Sequence, residues 1–213
     1  MRFLLGDTWV ETIVRLLLIG GAAFAIYEQR WASLAVSLIT LALTYLPDII
    51  ERSYHIKLPL TFTSAIIIFT YSTLFLGEVG DFYEKYWWWD IVLHGGSAIG
   101  FGLIGFIFIF ILFKGDRYAA PPLAMAFFAF CFGITIGVLW EVFEFGMDEI
   151  FGFNMLKSGL MDTMWDLIVD AIGAALGAAA GYFYLKKKWY VGLAAMIDEF
   201  VKSNKRLFKN NKD

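Results

Sequence analysis

A chain of 213 residues that is 60% hydrophobic and 17% charged, with 22 Phe, 8 Trp and only 4 Pro, departs from soluble-domain usage in each informative category. Its repeated apolar runs leave too little polar surface for a soluble globule, so the predicted fold is all-α: a polytopic membrane bundle of about six transmembrane helices. The net charge of -3 is segregated along the chain with no basic groove of interleaved aromatics, so nucleic acid is not an expected partner.

The first predicted span runs from Thr12 to Tyr27, with Arg15 near its start, and the second from Trp31 to Leu46. The short "EQR" between them forces an antiparallel hairpin. The N-terminal segment lacks a convincing small-residue cleavage site and runs straight into more membrane sequence, so it reads as a retained first helix. After Pro47, "DIIERSYHIKLP" to Pro59 is predicted as an interfacial loop. A third span, Leu60 to Leu76, ends in "GEVGDFYEKYWWWD", whose tryptophans suit the headgroup layer. The fourth is Ile91 to Phe113, the fifth Leu123 to Phe145 and the sixth Leu167 to Leu185. Between the last two lies a longer loop with room for a re-entrant turn. "WYVGLAAMIDEF", Trp189 to Phe200, is too short to span and carries Asp198 and Glu199, as an interfacial amphipathic helix would. Residues 1–188 thus read as a six-helix transmembrane domain, and 189–213 as a cytoplasmic amphipathic helix and basic tail. Cys131, the single cysteine, is expected to be a small buried hydrophobe.

Lysine and arginine set the orientation. With an even number of spans and a cytoplasmic N-terminus, the cytoplasmic side receives Arg2, Arg52, Lys57, Lys114, Arg117 and the eight basic residues from Lys186 onward. The other side receives Arg30, Lys85 and Lys157. Both termini are therefore expected inside the bacterial cytoplasmic (inner) membrane, with the basic tail touching anionic lipid.

That topology gathers acids at the outward ends. Asp90 opens the fourth span, Glu141 and Glu144 lie late in the fifth, and Asp162, Asp166 and Asp170 lead into the sixth. Residues three, four and seven apart share a helix side. Asp90 and His94 therefore point together, as do Glu141, Glu144 and Asp148, and as do Asp162, Asp166 and Asp170. Lipid-facing carboxylates are costly, so these stripes must turn toward one another or toward a water-filled cleft. Crowded in that way, they need held protons or a cation. A divalent metal cation is the economical answer: oxygen-rich sets suit Mg2+, Mn2+ or Ca2+, and a histidine among them admits Zn2+ or iron. Glu141, Glu144, Asp166 and Asp170 are the expected metal ligands. His94 and Asp90 are the expected catalytic pair, with His94 open between ligand and general base. Asp90 could instead serve only as a helix cap and Asp162 only as a loop acid. Asp148, Glu149, Glu78 and Asp81 read as solvated loop charges.

Glycines recur every four residues at Gly173, Gly177 and Gly181, and pair at that spacing as Gly96 with Gly100 and Gly133 with Gly137. They are expected to allow close helix packing and would also suit a homo-oligomer. Glu11 and Arg15 form an expected interfacial salt bridge. Asp48, Glu51 and Arg52 mark a second polar patch on the opposite side.

"LPDIIERSYHIKLP", "LFLGEVGDFYEKYWWWDIVLHGGSAIGFGLIGF", "FCFGITIGVLWEVFEFGMD" and "GLMDTMWDLIVDAIGAALGA" resemble the YjdF-like bacterial multipass membrane proteins, over roughly Leu46 to Gly181. That family carries a domain of unknown function, so the resemblance implies a fold and a residue set, not an activity. A more distant resemblance is to the VanZ-like membrane proteins. Their Asp and His four apart fall on Asp90 and His94. Their Glu and Gln fall on Glu141 and Glu144, and their Asp and Asn on Asp166 and Asp170. Both departures put an acid where that family has an amide, which favours a cation.

Three functions stay open. One is an envelope-side metal-dependent hydrolase or transferase acting on a lipid-linked substrate, although no serine or cysteine nucleophile stands beside a base; Ser97, near His94, is a weak signal. Another is a cation or ion-coupled transporter using Asp48, Glu51 and Arg52 as a second gate, against a uniformly apolar middle. The third is a structural or accessory membrane protein.

Overall fold

The computed structural model describes residues 8–116, 120–157 and 159–208. Arg2, Arg117, Lys209 and Lys212, which enter the charge asymmetry, lie outside them. Among the described residues all regular structure is helical, with no strand. Six helical segments among them are long and apolar enough to cross a membrane: Trp9–Tyr27, Trp31–Tyr54, Leu60–Val79, Trp89–Leu112, Pro122–Phe151 and Leu160–Lys187. The chain divides into two compact units, one ending at Trp89 and the other beginning at Asp90.

The first unit contains α1 (Trp9–Tyr27), α2 (Trp31–Leu43), α3 (Leu46–Tyr54), α4 (Leu60–Thr70) and the short α5 (Phe82–Lys85). Helix α1 starts earlier than expected because Thr8 caps it, its hydroxyl accepting the Glu11 amide at 3.1 Å. Val14 and Leu18 of α1 pack with Ile67 of α4 and with Leu41, Tyr71 and Phe75 around them.

The predicted loop after Pro47 is instead helical as far as Tyr54. Pro47 stands in the first turn of α3, where its missing N–H breaks no bond, and His55 closes the helix in the left-handed region at φ 51°. Beyond α4 the span continues as a π-helix over Tyr71–Val79, where Gly77 leaves room for the Tyr83 ring.

The expected interfacial salt bridge also reads differently. Glu11 and Arg15 are both buried, each 2% exposed. Arg15 donates to the Thr44 hydroxyl at 3.2 Å, to the Thr44 carbonyl at 3.0 Å and to Asp48 at 3.3 Å, and lies over the Tyr45 ring. It thereby satisfies a backbone carbonyl where α2 gives way to α3. Glu51 accepts the Leu58 amide. Two members of the expected second gate are thus engaged in holding this corner together.

The second unit contains α6 (Trp89–Leu112), α7 (Pro122–Phe151), α8 (Leu160–Lys187) and α9 (Leu193–Ser203), followed by a 3-10 turn at Lys205–Phe208. Helix α8 lies parallel to α6 in backbone contact: a Cβ on Gly173 would stand 2.6 Å from the Gly95 carbonyl oxygen, and one on Gly102 2.9 Å from that of Ala174. Helix α7 runs antiparallel to α8, with Gly133 against Ala174 and Gly137 against Asp170. These glycines do pack as expected. Gly96 and Gly100 do not, since a Cβ on either meets nothing within 4 Å in this unit. Cys131 is likewise exposed and not buried. An apolar neighbourhood in sequence does not separate a lipid-facing side from a core-facing one.

Helix α7 extends well past the predicted Phe145, and α8 begins before the predicted Leu167. The expected long loop shrinks to residues 152–159, and Asp162 lies in the first turn of α8, not in a loop. At 1.5 Å per residue α7 is about 45 Å long, more than a hydrocarbon core of about 30 Å requires. Its end therefore has length to emerge at the membrane surface. The amphipathic helix expected after the last span is present as α9, which buries Ala194, Ile197 and Phe200 and packs on α8.

Candidate metal centre

Asp90 lies in the first turn of α6 and His94 one turn later on the same side. The imidazole is buried, and acids from all three long helices of the unit converge on it. Its Nε2 is 3.9 Å from Asp90 Oδ1 and 4.0 Å from Glu141 Oε1, while its Nδ1 is 3.4 Å from Asp170 Oδ2. One ligand atom each from Asp90, His94 and Asp166 lie within 4.8 Å of one another, and so do those of His94, Glu141 and Glu144. The six residues singled out from spacing are therefore brought to one place: Asp90, His94, Glu141, Glu144, Asp166 and Asp170.

Glu141 is only 5% exposed, and neither of its carboxyl oxygens has a hydrogen-bond partner. The Thr163 hydroxyl of α8 stands nearby without closing a bond to it. A buried acid left in this state is costly, and five carboxyl groups around one imidazole compound that cost. A cation between them would relieve it.

Asp170 has its own place. The Asp170 carboxylate holds the imidazole from its Nδ1 side, which leaves Nε2 turned toward Asp90 and Glu141. Gly137 of α7 makes this possible, because any side chain there would overlap the Asp170 carboxylate. Spacing alone assigns Gly137 to packing and cannot show which carboxylate it admits.

The other sequence candidates have other partners or surroundings. Asp148 accepts the Met155 amide at 2.7 Å and the Leu156 amide at 3.0 Å, so it shapes the α7–α8 loop instead of being merely solvated. Asp81 is exposed and pairs with Lys85 at 3.7 Å, in the first unit. Glu149 is exposed. Ser97 donates to the His94 carbonyl at 2.9 Å, a local helix bond unrelated to the imidazole. In the sequence Lys157 bears only on the orientation of the chain, yet its Nζ lies 3.4 Å from Asp90 Oδ2.

The fold and this cluster define a class: a polytopic, all-helical membrane protein with a buried acid and histidine centre at one end of a helix bundle. The chain belongs to the family described as "Predicted membrane protein (DUF2238)", which matches residues 9–187 and is the YjdF-like family whose motifs it resembles. It is also similar to an uncharacterized protein of Thermotoga maritima, 34% identical over 131 residues, which cover 60% of this chain and 65% of that relative. The match thus spans just under two thirds of the relative's length. No solved structure matches the chain.

Proposed function

We propose that the centre at His94 binds a divalent metal cation and serves a metal-dependent hydrolase or transferase that acts on a lipid-linked envelope substrate. The observation that carries this reading is Glu141, buried, with neither oxygen hydrogen-bonded and one of them 4.0 Å from His94 Nε2. Glu141, Glu144, Asp90 and Asp166 would hold the ion with Nε2 of His94, and Asp170 would orient the imidazole from behind. A bound divalent ion would supply Lewis-acid polarisation of a phosphoryl or acyl oxygen, or an activated water. Substrate access at headgroup depth is supported by Phe151, Phe153 and Leu160, which are exposed around the short α7–α8 loop. Metal content and a Mn2+ binding isotherm on the purified protein test the site. Glu141→Gln and Asp166→Asn are each expected to weaken binding at least about tenfold. Equal metal content and affinity in wild type and both variants, with no tight binding in any, would rule the site out.

The same reading puts both termini in the cytoplasm and the centre on the outer side of the bacterial cytoplasmic membrane, on the strength of the lysine and arginine asymmetry. Because Cys131 is exposed, it must first be replaced by alanine. A cysteine introduced at Asn154, exposed in the α7–α8 loop, is then expected to react with an impermeant maleimide on intact cells. Reaction only after permeabilisation would invert the topology.

A further inference from the structure

Lys157 is the one described residue of the α7–α8 loop that brings positive charge to the centre. Its Nζ lies 3.4 Å from Asp90 Oδ2, it is about three-quarters buried with 28% of its side chain exposed, and its charge also reaches Asp162. The loop is built to hold it there. The Asp148 carboxylate grips the amides of Met155 and Leu156, directly before Lys157. Gly152, Lys157 and Gly159 all take positive φ, at 70°, 43° and 68°. Left-handed backbone at a lysine is unfavourable, and the Asp148 grip offsets it.

We propose that Lys157 determines the charge selectivity of the cation site: its tethered ammonium rests on Asp90 as a resident monovalent cation, which a divalent ion displaces and sodium or potassium does not. This rests on the cation site proposed above. The physical reason is charge and tethering. A free monovalent ion brings the same single charge as the ammonium but must compete with a group held at high effective concentration by its own loop. A divalent ion doubles the attraction to each carboxylate around it and so overcomes the same competitor. The side chain is long enough to withdraw toward solvent while the loop backbone keeps its place.

The test is Mn2+ titration, followed by the electron paramagnetic resonance of the free ion, on the full chain in detergent at fixed ionic strength. The supporting salt is sodium chloride in one series and N-methylglucamine chloride in the other. In N-methylglucamine, Lys157→Gln is expected to bind Mn2+ about tenfold more tightly than wild type, because the competitor is gone. In sodium, that gain is expected to shrink several-fold, while wild type and Lys157→Arg bind Mn2+ equally in both salts. Unchanged or weaker binding in Lys157→Gln, or equal sodium sensitivity in wild type, overturns the proposal. If Glu141→Gln weakens Mn2+ binding while Lys157→Gln leaves it unaltered, only this proposal fails. If neither wild type nor Lys157→Gln binds Mn2+, the site fails and takes the proposal with it.

Discussion

Gly173→Ala is expected to destabilise the protein by about 2–3 kcal/mol, although alanine is the better helix former by about 1 kcal/mol. The sign is set by what the new methyl meets. It would stand 2.6 Å from the Gly95 carbonyl oxygen, and a backbone atom cannot rotate out of the way. Helices α6 and α8 would have to separate, losing contacts along the whole seam that continues to Gly102 and Gly177. Gly146→Ala on α7 is the control, because nothing lies within 4 Å of a Cβ there. That variant is expected to be neutral or slightly more stable. Unfolding titrations in mixed micelles read both, and a Gly173→Ala protein as stable as wild type would mean that α6 and α8 are not in backbone contact.

A second large effect is expected one turn from Glu141. Gly137→Ala places a methyl group in the space taken by the Asp170 carboxylate, so Asp170 must leave Nδ1 of His94. Loss of the group that orients a metal-bound histidine typically weakens metal binding about 10–100-fold, and the upper part of that range is expected here. The decisive comparison is a double-mutant cycle. In an Asp170→Ala background the methyl group has nothing to displace, so Gly137→Ala should then weaken Mn2+ binding little further, with a coupling of about 2 kcal/mol. Additive losses would show that Gly137 does not act through Asp170.

How much of this could be seen in advance depends on what helix periodicity encodes. Spacing of three and four places residues on a common side of one helix, and that sufficed to group Asp90 with His94, Glu141 with Glu144, and Asp166 with Asp170. It says nothing about how a helix is rotated relative to its neighbours. Which acid sits at Nδ1, and that Lys157 reaches Asp90, are facts of rotation and loop shape. The same gap explains Cys131, Gly96 and Gly100: lipid and protein core are both apolar, so composition cannot tell which of them a side chain faces. Helix ends failed for a different reason. The sequence reading stopped spans at polar or proline residues, but Pro47 is tolerated in a first turn, and Asp162 is compatible with the start of a helix that outlasts the hydrocarbon.

The backbone contact between α6 and α8 bears on ionic radius. Gly95 follows His94 directly, and Gly173 lies one turn beyond Asp170, so the place of closest approach adjoins the contact between imidazole and carboxylate. Those two groups are mounted on walls that cannot move apart or together without breaking the bundle. An ion held at Nε2 would meet an imidazole fixed in place by that seam on one side and the longer, partly exposed Glu144 on the other. Small ions that demand short, regular bonds and large ones that accept longer, irregular bonds would then be told apart by how far Glu144 has to reach.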